Sequence, residues 1–267
     1  MIRLLPVALG LIGLGIILAQ PQKKEDTRMH PSKKRLLIVT HTAGFRHSDS
    51  IERGEKILAE LGRRSGAFEV EYCRTAEDVQ KMLTPDALDA GKFDGVVFLS
   101  TTGDLGIPDL RAFLDWLKRG KAFIGIHAAA DTYHNRPEYL EMLQGEFAYH
   151  GEHTKVEAKV EKPDHPAVAH LAPTWVVFDE IYIFKENNRR NVTVLLSLDR
   201  HPDDGTPNAN KPGDYLLAWC REYGNGRVFY TALGHRLEVW ESEAYQRHLL
   251  GGILWALRLQ ERGAVHL

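Results

Sequence analysis

Arg35-Leu36-Leu37-Ile38-Val39-Thr40-His41 decides the fold class of this chain. Leu36, Leu37, Ile38 and Val39 are apolar without a break, and the last two are β-branched, which suits an extended backbone. A strand with one wet face alternates polar and apolar positions. An unbroken apolar run instead belongs to a strand covered on both faces, the usual state in a parallel sheet. Outward from it the pattern repeats. Residues 50–62 have helical spacing, with Ile51, Ile57, Leu58 and Leu61 on one face, and 68–73 read as the next strand. Phe93-Asp94-Gly95-Val96-Val97-Phe98-Leu99 is a third strand. Pro108 then opens a helix through Leu110, Phe113, Leu114 and Leu117 that stops at Gly120, and Ala122-Phe123-Ile124-Gly125-Ile126 is a fourth strand. Alternating strand and helix predict an α/β fold, a doubly wound, mostly parallel sheet with right-handed crossovers.

After Lys155 the texture becomes β-rich, with strands expected at 155–160, 176–184 and 192–198 and a Pro/Asp/Asn/Gly loop over 201–213. Strands at 215–222 and 227–233 meet at Gly224-Asn225-Gly226, and an amphipathic helix over 243–259 closes the chain. The β-rich stretch reads as an insertion in the parallel core.

With 267 residues, 43% of them apolar, there is ample material for a large core. A formal net charge of −2, with both signs interspersed, leaves no basic stripe and sets nucleic acid aside as a partner. Arg3 and an apolar run over 4–19 make residues 1–20 a signal peptide or an uncleaved membrane anchor, so export to the periplasm or beyond is expected. Polar residues 21–34, with Pro21 and Pro31, read as a disordered tether. Cys73 and Cys220 sit in strand-like contexts and are read as buried, unpaired thiols.

In an open parallel sheet, ligands bind beyond the carboxyl ends of the strands, where loops and helix N-termini converge. Those loops carry Thr42-Ala43-Gly44-Phe45-Arg46-His47-Ser48 after the first strand and Thr101-Thr102-Gly103-Asp104 after the third. His127-Ala128-Ala129-Ala130-Asp131-Thr132 follows the fourth, and Gly234-His235 the last. His47, His127 and His235 thus stand on separate loops at one rim. A single histidine there is ordinary; three point to chemistry.

In order along the chain, Gly44-Phe45-Arg46-His47, Thr101-Thr102-Gly103-Asp104, Gly125-Ile126-His127-Ala128-Ala129-Ala130-Asp131, Asp164-His165-Pro166, Asp179-Glu180, Ala218-Trp219, Gly226-Arg227 and Gly234-His235 resemble the successive motifs of the ThuA-like (trehalose-utilisation) family. The resemblance covers a domain over 35–260, leaving 261–267 as a tail. It implies a class I glutamine amidotransferase-like, flavodoxin-related fold and a carbohydrate substrate. In the amidotransferases the tight turn after a central strand presents a cysteine. Here it presents His127, so a glutamine-derived thioester has no nucleophile.

The candidate catalytic residues are His127, as base or metal ligand, Glu180 as the second acid/base, and His47. Arg46, Thr102, Asp104, Asp131 and Trp219 are candidate substrate contacts, Trp219 by stacking on a sugar. His47, His127, His150 and His235 are candidate ligands for a divalent metal such as zinc, although no compact His-Glu-x-x-His motif is present. His153 is expected to be solvated. Two readings follow. One is an exported enzyme acting on a disaccharide or keto-sugar by acid–base or metal-assisted chemistry; the other is a non-catalytic sugar-binding or interaction module.

Overall fold

The first β-strand, β1 (Lys34–Val39), is the apolar run that announced the sheet, and its four buried residues alternate between two cores. The computed structural model describes Ile2 and residues 33–186 and 188–259. The expected targeting segment, most of the tether and the C-terminal tail lie outside the described residues. By contacts the chain divides into Met1–Ser32 and Lys33–Leu267. Among the described residues no helix is long and apolar enough to cross a membrane.

From β1 the chain runs through α1 (Ser48–Ser65), β2 (Phe68–Cys73), α2 (Ala76–Met82), α3 (Pro85–Ala90), β3 (Gly95–Leu99), α4 (Leu110–Lys118) and β4 (Ala122–Ile126). A 3-10 turn, His127–Asp131, leads to α5 (Pro137–Leu143) and β5 (Phe147–His150). Then come β6 (Thr154–Val160), β7 (Thr174–Asp179), β8 (Tyr182–Phe184), β9 (Thr193–Arg200), β10 (Pro212–Tyr223) and β11 (Gly226–Thr231), before α6 (Leu237–Glu241) and α7 (Glu243–Ala256).

The main sheet has the order β2-β1-β3-β4-β11-β10-β9-β6-β7. Its first five strands pair in parallel, in the 2-1-3-4-5 order of a flavodoxin-like sheet, with β11 as the fifth. The remaining strands pair antiparallel, so the β-rich insertion widens the same sheet. Side chains on alternate faces confirm double winding. Leu36, Ile38, Val97 and Ile126 pack with Leu58 and Leu61 of α1 and Leu249 and Ile253 of α7. Leu37, Val39, Val96 and Phe98 pack with Val79 of α2, Leu88 of α3, Phe113 of α4 and Tyr139 of α5.

Four helices, α2, α3, α5 and α6, go beyond the sequence reading. Local chemistry accounts for the first two: Thr75 and Asp78 form a reciprocal capping box on α2, and the Thr84 side chain accepts from Ala87 N ahead of Pro85 on α3. Such a cap is worth about 1 kcal/mol, enough to nucleate a helix this short once one face is buried. The strand expected over 176–184 is divided: β7 ends at Asp179, and β8 begins at Tyr182 in a separate two-stranded sheet with β5. Cys73 and Cys220 are buried and unpaired, and burial pushes each thiol up to about 12.

Candidate functional site

His47, His127 and His235 follow the carboxyl ends of β1, β4 and β11, so the parallel register brings them to one rim. His127 has φ +50°, a left-handed conformation unusual for a residue with a Cβ, and it is completely buried. A backbone of this kind costs on the order of 1–3 kcal/mol and persists only where the surroundings impose it. Here they do: Tyr230 donates its hydroxyl hydrogen to the His127 carbonyl at 2.8 Å, and His127 Nδ1 lies 2.7 Å from the Ala232 carbonyl. A carbonyl only accepts, so Nδ1 carries the proton and Nε2 presents its lone pair inward. The Tyr182 hydroxyl donates to Nε2 at 3.0 Å, and His235 Nδ1 stands 3.2 Å from it.

Glu180 sits in the break between β7 and β8, with 3% of its surface exposed. Its two carboxylate oxygens face different histidines. Oε2 is 3.3 Å from His127 Nε2 and 3.4 Å from His235 Nδ1; Oε1 is 3.2 Å from His150 Nδ1 and 3.6 Å from His153 Nε2. The His47 ring meets those of His127 and His235 edge-on at 5.0 and 5.3 Å. One donor atom each from His47, His127, Glu180 and His235 lies within 4.8 Å of the other three. Neighbouring Asp179 is fully buried and clamps the last loop, accepting from Gly234 N at 2.7 Å and Arg236 N at 3.1 Å. Gly234 has φ +116°, and a Cβ there would stand 2.4 Å from the Tyr245 hydroxyl, so only glycine makes this turn.

Electrostatics follow from the shared burial. Burial, then the neighbouring His127 and His235, pushes His47 down to about 3. For Glu180, burial opposes the charge, yet its interactions with the surrounding histidines hold it well below the usual carboxylate range. Burial likewise opposes charge on His235, yet the Glu180 carboxylate raises its pKa overall. Above the cluster lies a cleft of about 460 Å³, lined among others by Phe45, Arg46, His47, His153, His235 and Arg236. His127 and Glu180 lie beneath its floor.

The other candidates separate by position. Arg46 lines the cleft, its guanidinium donating to the Thr40 carbonyl. Thr102 is buried and donates to the Phe45 carbonyl at 2.8 Å, so it shapes the loop before His47. Asp104 accepts from Gly106 N in its own turn, and Asp131 holds His134 at 2.6 Å; neither lines the cleft. Trp219 is corrected outright as a stacking surface. It is 1% exposed, donates from Nε1 to the Leu143 carbonyl, and is covered by Tyr230 and Phe184. His150 lies on the outer oxygen of Glu180, apart from the inner four. His153, expected to be solvated, is instead a cleft residue that accepts from Arg236 at 3.1 Å. Sequence reasoning also missed Tyr182, Arg236 and Phe45. For Phe45 a signal existed: a large aromatic between a glycine and an arginine in a rim loop, which the structure leaves 70% exposed.

A flavodoxin-like parallel core with a buried histidine of left-handed backbone at the turn after β4 defines the class of protein. The chain belongs to the ThuA, or trehalose utilisation, family, whose pattern matches residues 35–256. That membership supports a carbohydrate-related function. Among solved structures, a ThuA-like protein from Bacteroides uniformis is similar at 22% identity and TM-score 0.65, over 89% of this chain and 95% of that one. A ThuA-like protein from Parabacteroides merdae is similar at 21% identity and TM-score 0.66, over 84% and 90%. A cytoplasmic protein from Salmonella typhimurium shares 16% identity at TM-score 0.53, over 86% and 100%. At these identities the likeness shows the fold alone. No curated protein matches the chain in sequence.

Proposed function

We propose that this protein is an enzyme of carbohydrate catabolism that acts on a disaccharide or keto-sugar held in the cleft above His47 and His235, and that residues 1–20 direct it out of the cytoplasm. The observation that carries the enzymatic reading is the convergence of His47, His127 and His235 with Glu180 at the rim of the parallel sheet, directly under an open cleft. A binding module needs hydrogen-bond donors and a stacking surface; it has no use for four titratable groups packed at mutual cost beneath the ligand. Phe45, exposed at the cleft mouth, offers the apolar face of a sugar ring its platform, and Arg46 and Arg236 face its hydroxyls.

The carboxylate of Glu180 stays charged, so it serves to hold positive charge beside it rather than to donate a proton. Of the imidazoles, His153 borders the cleft with one nitrogen against Arg236 and the other toward Glu180, so it links the cleft wall to the buried carboxylate. The reactions this suits are proton removal next to a sugar carbonyl and assisted hydrolysis of a glycosidic bond. The test is a screen of the purified protein against disaccharides and their keto forms, with His127→Asn as the comparison. Turnover by the wild type that falls at least about 100-fold in the variant supports the reading. Unchanged turnover in the variant removes the cluster from the reaction, and tight sugar binding with no turnover of any member leaves a binding module.

A further inference from the structure

We infer that His47, His127, Glu180 and His235 bind one divalent transition-metal ion of the zinc class. The inference deepens the function proposed above, because the ion would occupy the floor of the same cleft. The first support is the donor set. Three imidazoles and one carboxylate, each within 4.8 Å of the others, match the borderline-soft ligands that zinc prefers and differ from the all-oxygen sets of calcium and magnesium. The inner separations of 3.2 and 3.3 Å already approach the about 3.4 Å between neighbouring donors of a tetrahedral zinc with bonds near 2.1 Å.

The second support is an electronic conflict that a cation resolves. The Ala232 carbonyl fixes the His127 proton on Nδ1, so Nε2 has only a lone pair, which takes the Tyr182 hydroxyl hydrogen at 3.0 Å and leaves no proton for Glu180 Oε2, 3.3 Å away. Glu180 Oε2 and His47 Nδ1 are both buried and have no hydrogen-bond partner. An unsatisfied buried group costs about 1–3 kcal/mol, more when charged, and here two such atoms belong to the same four residues.

Outer contacts are those of a ligating centre. The Ala232 carbonyl orients His127, while His150 and His153 brace the far oxygen of Glu180. His47 and His235 line the cleft, which provides a path of entry. When bound, such an ion supplies Lewis acidity toward a sugar oxygen. This division leaves His150 and His153 outside the ligand set.

The experiment uses the full chain, stripped with chelator and titrated with zinc(II), with cobalt(II) as a spectroscopic probe. Expected are one tightly held equivalent of zinc, a raised melting temperature, and the visible absorption of cobalt in an imidazole–carboxylate site. His47→Ala and, separately, Glu180→Gln should lose zinc affinity by at least about 100-fold. His134→Ala, on the separate Asp131/Glu146 cluster, should bind as the wild type does. Circular dichroism checks that each variant is folded, and His47, at the half-buried edge, is the substitution least able to disturb the fold. Equal affinity in wild type and His47→Ala, or no retained zinc in the wild type, overturns the inference. Zinc binding without sugar turnover defeats the proposed function alone; turnover undiminished in chelator defeats the metal alone.

Discussion

His127 is the residue on which fold and site depend together. Its left-handed backbone means that alanine, whose Cβ disfavours φ > 0, adds strain that asparagine tolerates better. His127→Asn is therefore expected to remove turnover while lowering the melting temperature by only a few degrees, whereas His127→Ala should lose more stability; thermal melts of the two variants, read beside activity, check this. At the cleft mouth, Phe45→Ala removes an exposed ring and nothing from the core. It should raise KM by roughly tenfold, the worth of one stacking contact of about 1–1.5 kcal/mol, and leave kcat within twofold. A fall in kcat with unchanged KM would show that Phe45 plays no part in holding the sugar.

At the scale of elements, the break between β7 and β8 carries the site. Asp179 ends β7 by accepting two backbone N–H groups from the loop that bears His235. In Asp179→Asn the amide faces one of those donors with a donor of its own, so stability should fall by about 2 kcal/mol in denaturant titration. Activity should fall with it because His235 loses its anchor; full activity at reduced stability would make the clamp purely structural. The same break shows where the sequence was readable and where it was not. The parallel strands were legible because apolar runs such as Leu36 to Val39 and Ala122 to Ile126 have only one comfortable environment. The run from Trp175 to Phe184 contains no Gly or Pro, and what divides it is a loop more than fifty residues later in the chain, as the 55-residue separation of Asp179 and Gly234 records. His153 was misjudged for the same reason, since its partner Arg236 lies 83 positions away. Trp219 was ambiguous because alternation in a strand marks a face without saying what covers it. By contrast, His47, His127 and His235 were found by position, since the ends of parallel strands share a rim.

Across the whole molecule, buried neutral histidines set the response to acid. Burial pushes His165 down to about 4 and His248 down to about 3, against 6.5 for an exposed imidazole. On unfolding, both regain the ordinary value, so below pH 6.5 the unfolded chain binds protons that the folded chain does not. Their contribution is thus complete above pH 6.5 and lost as pH falls through the window toward 4 and 3. At pH 4.5 each costs roughly 2 kcal/mol. The melting temperature should drop between pH 7 and pH 4.5, and less steeply in His248→Asn, which keeps a donor for the Ala167 carbonyl. A variant slope equal to that of the wild type would exclude His248 from the effect. The strand order has another consequence, one of timing. β4 and β11 lie side by side, yet β5 to β10 separate them in sequence, and β11 brings in the loop that holds His235. During synthesis the first four parallel strands emerge early with one edge unpaired, and the histidine–glutamate cluster is complete only when the C-terminal strand slots in beside β4. A nascent or truncated chain ending before Gly226 therefore lacks His235 and carries a bare sheet edge that must be shielded until the last strand arrives.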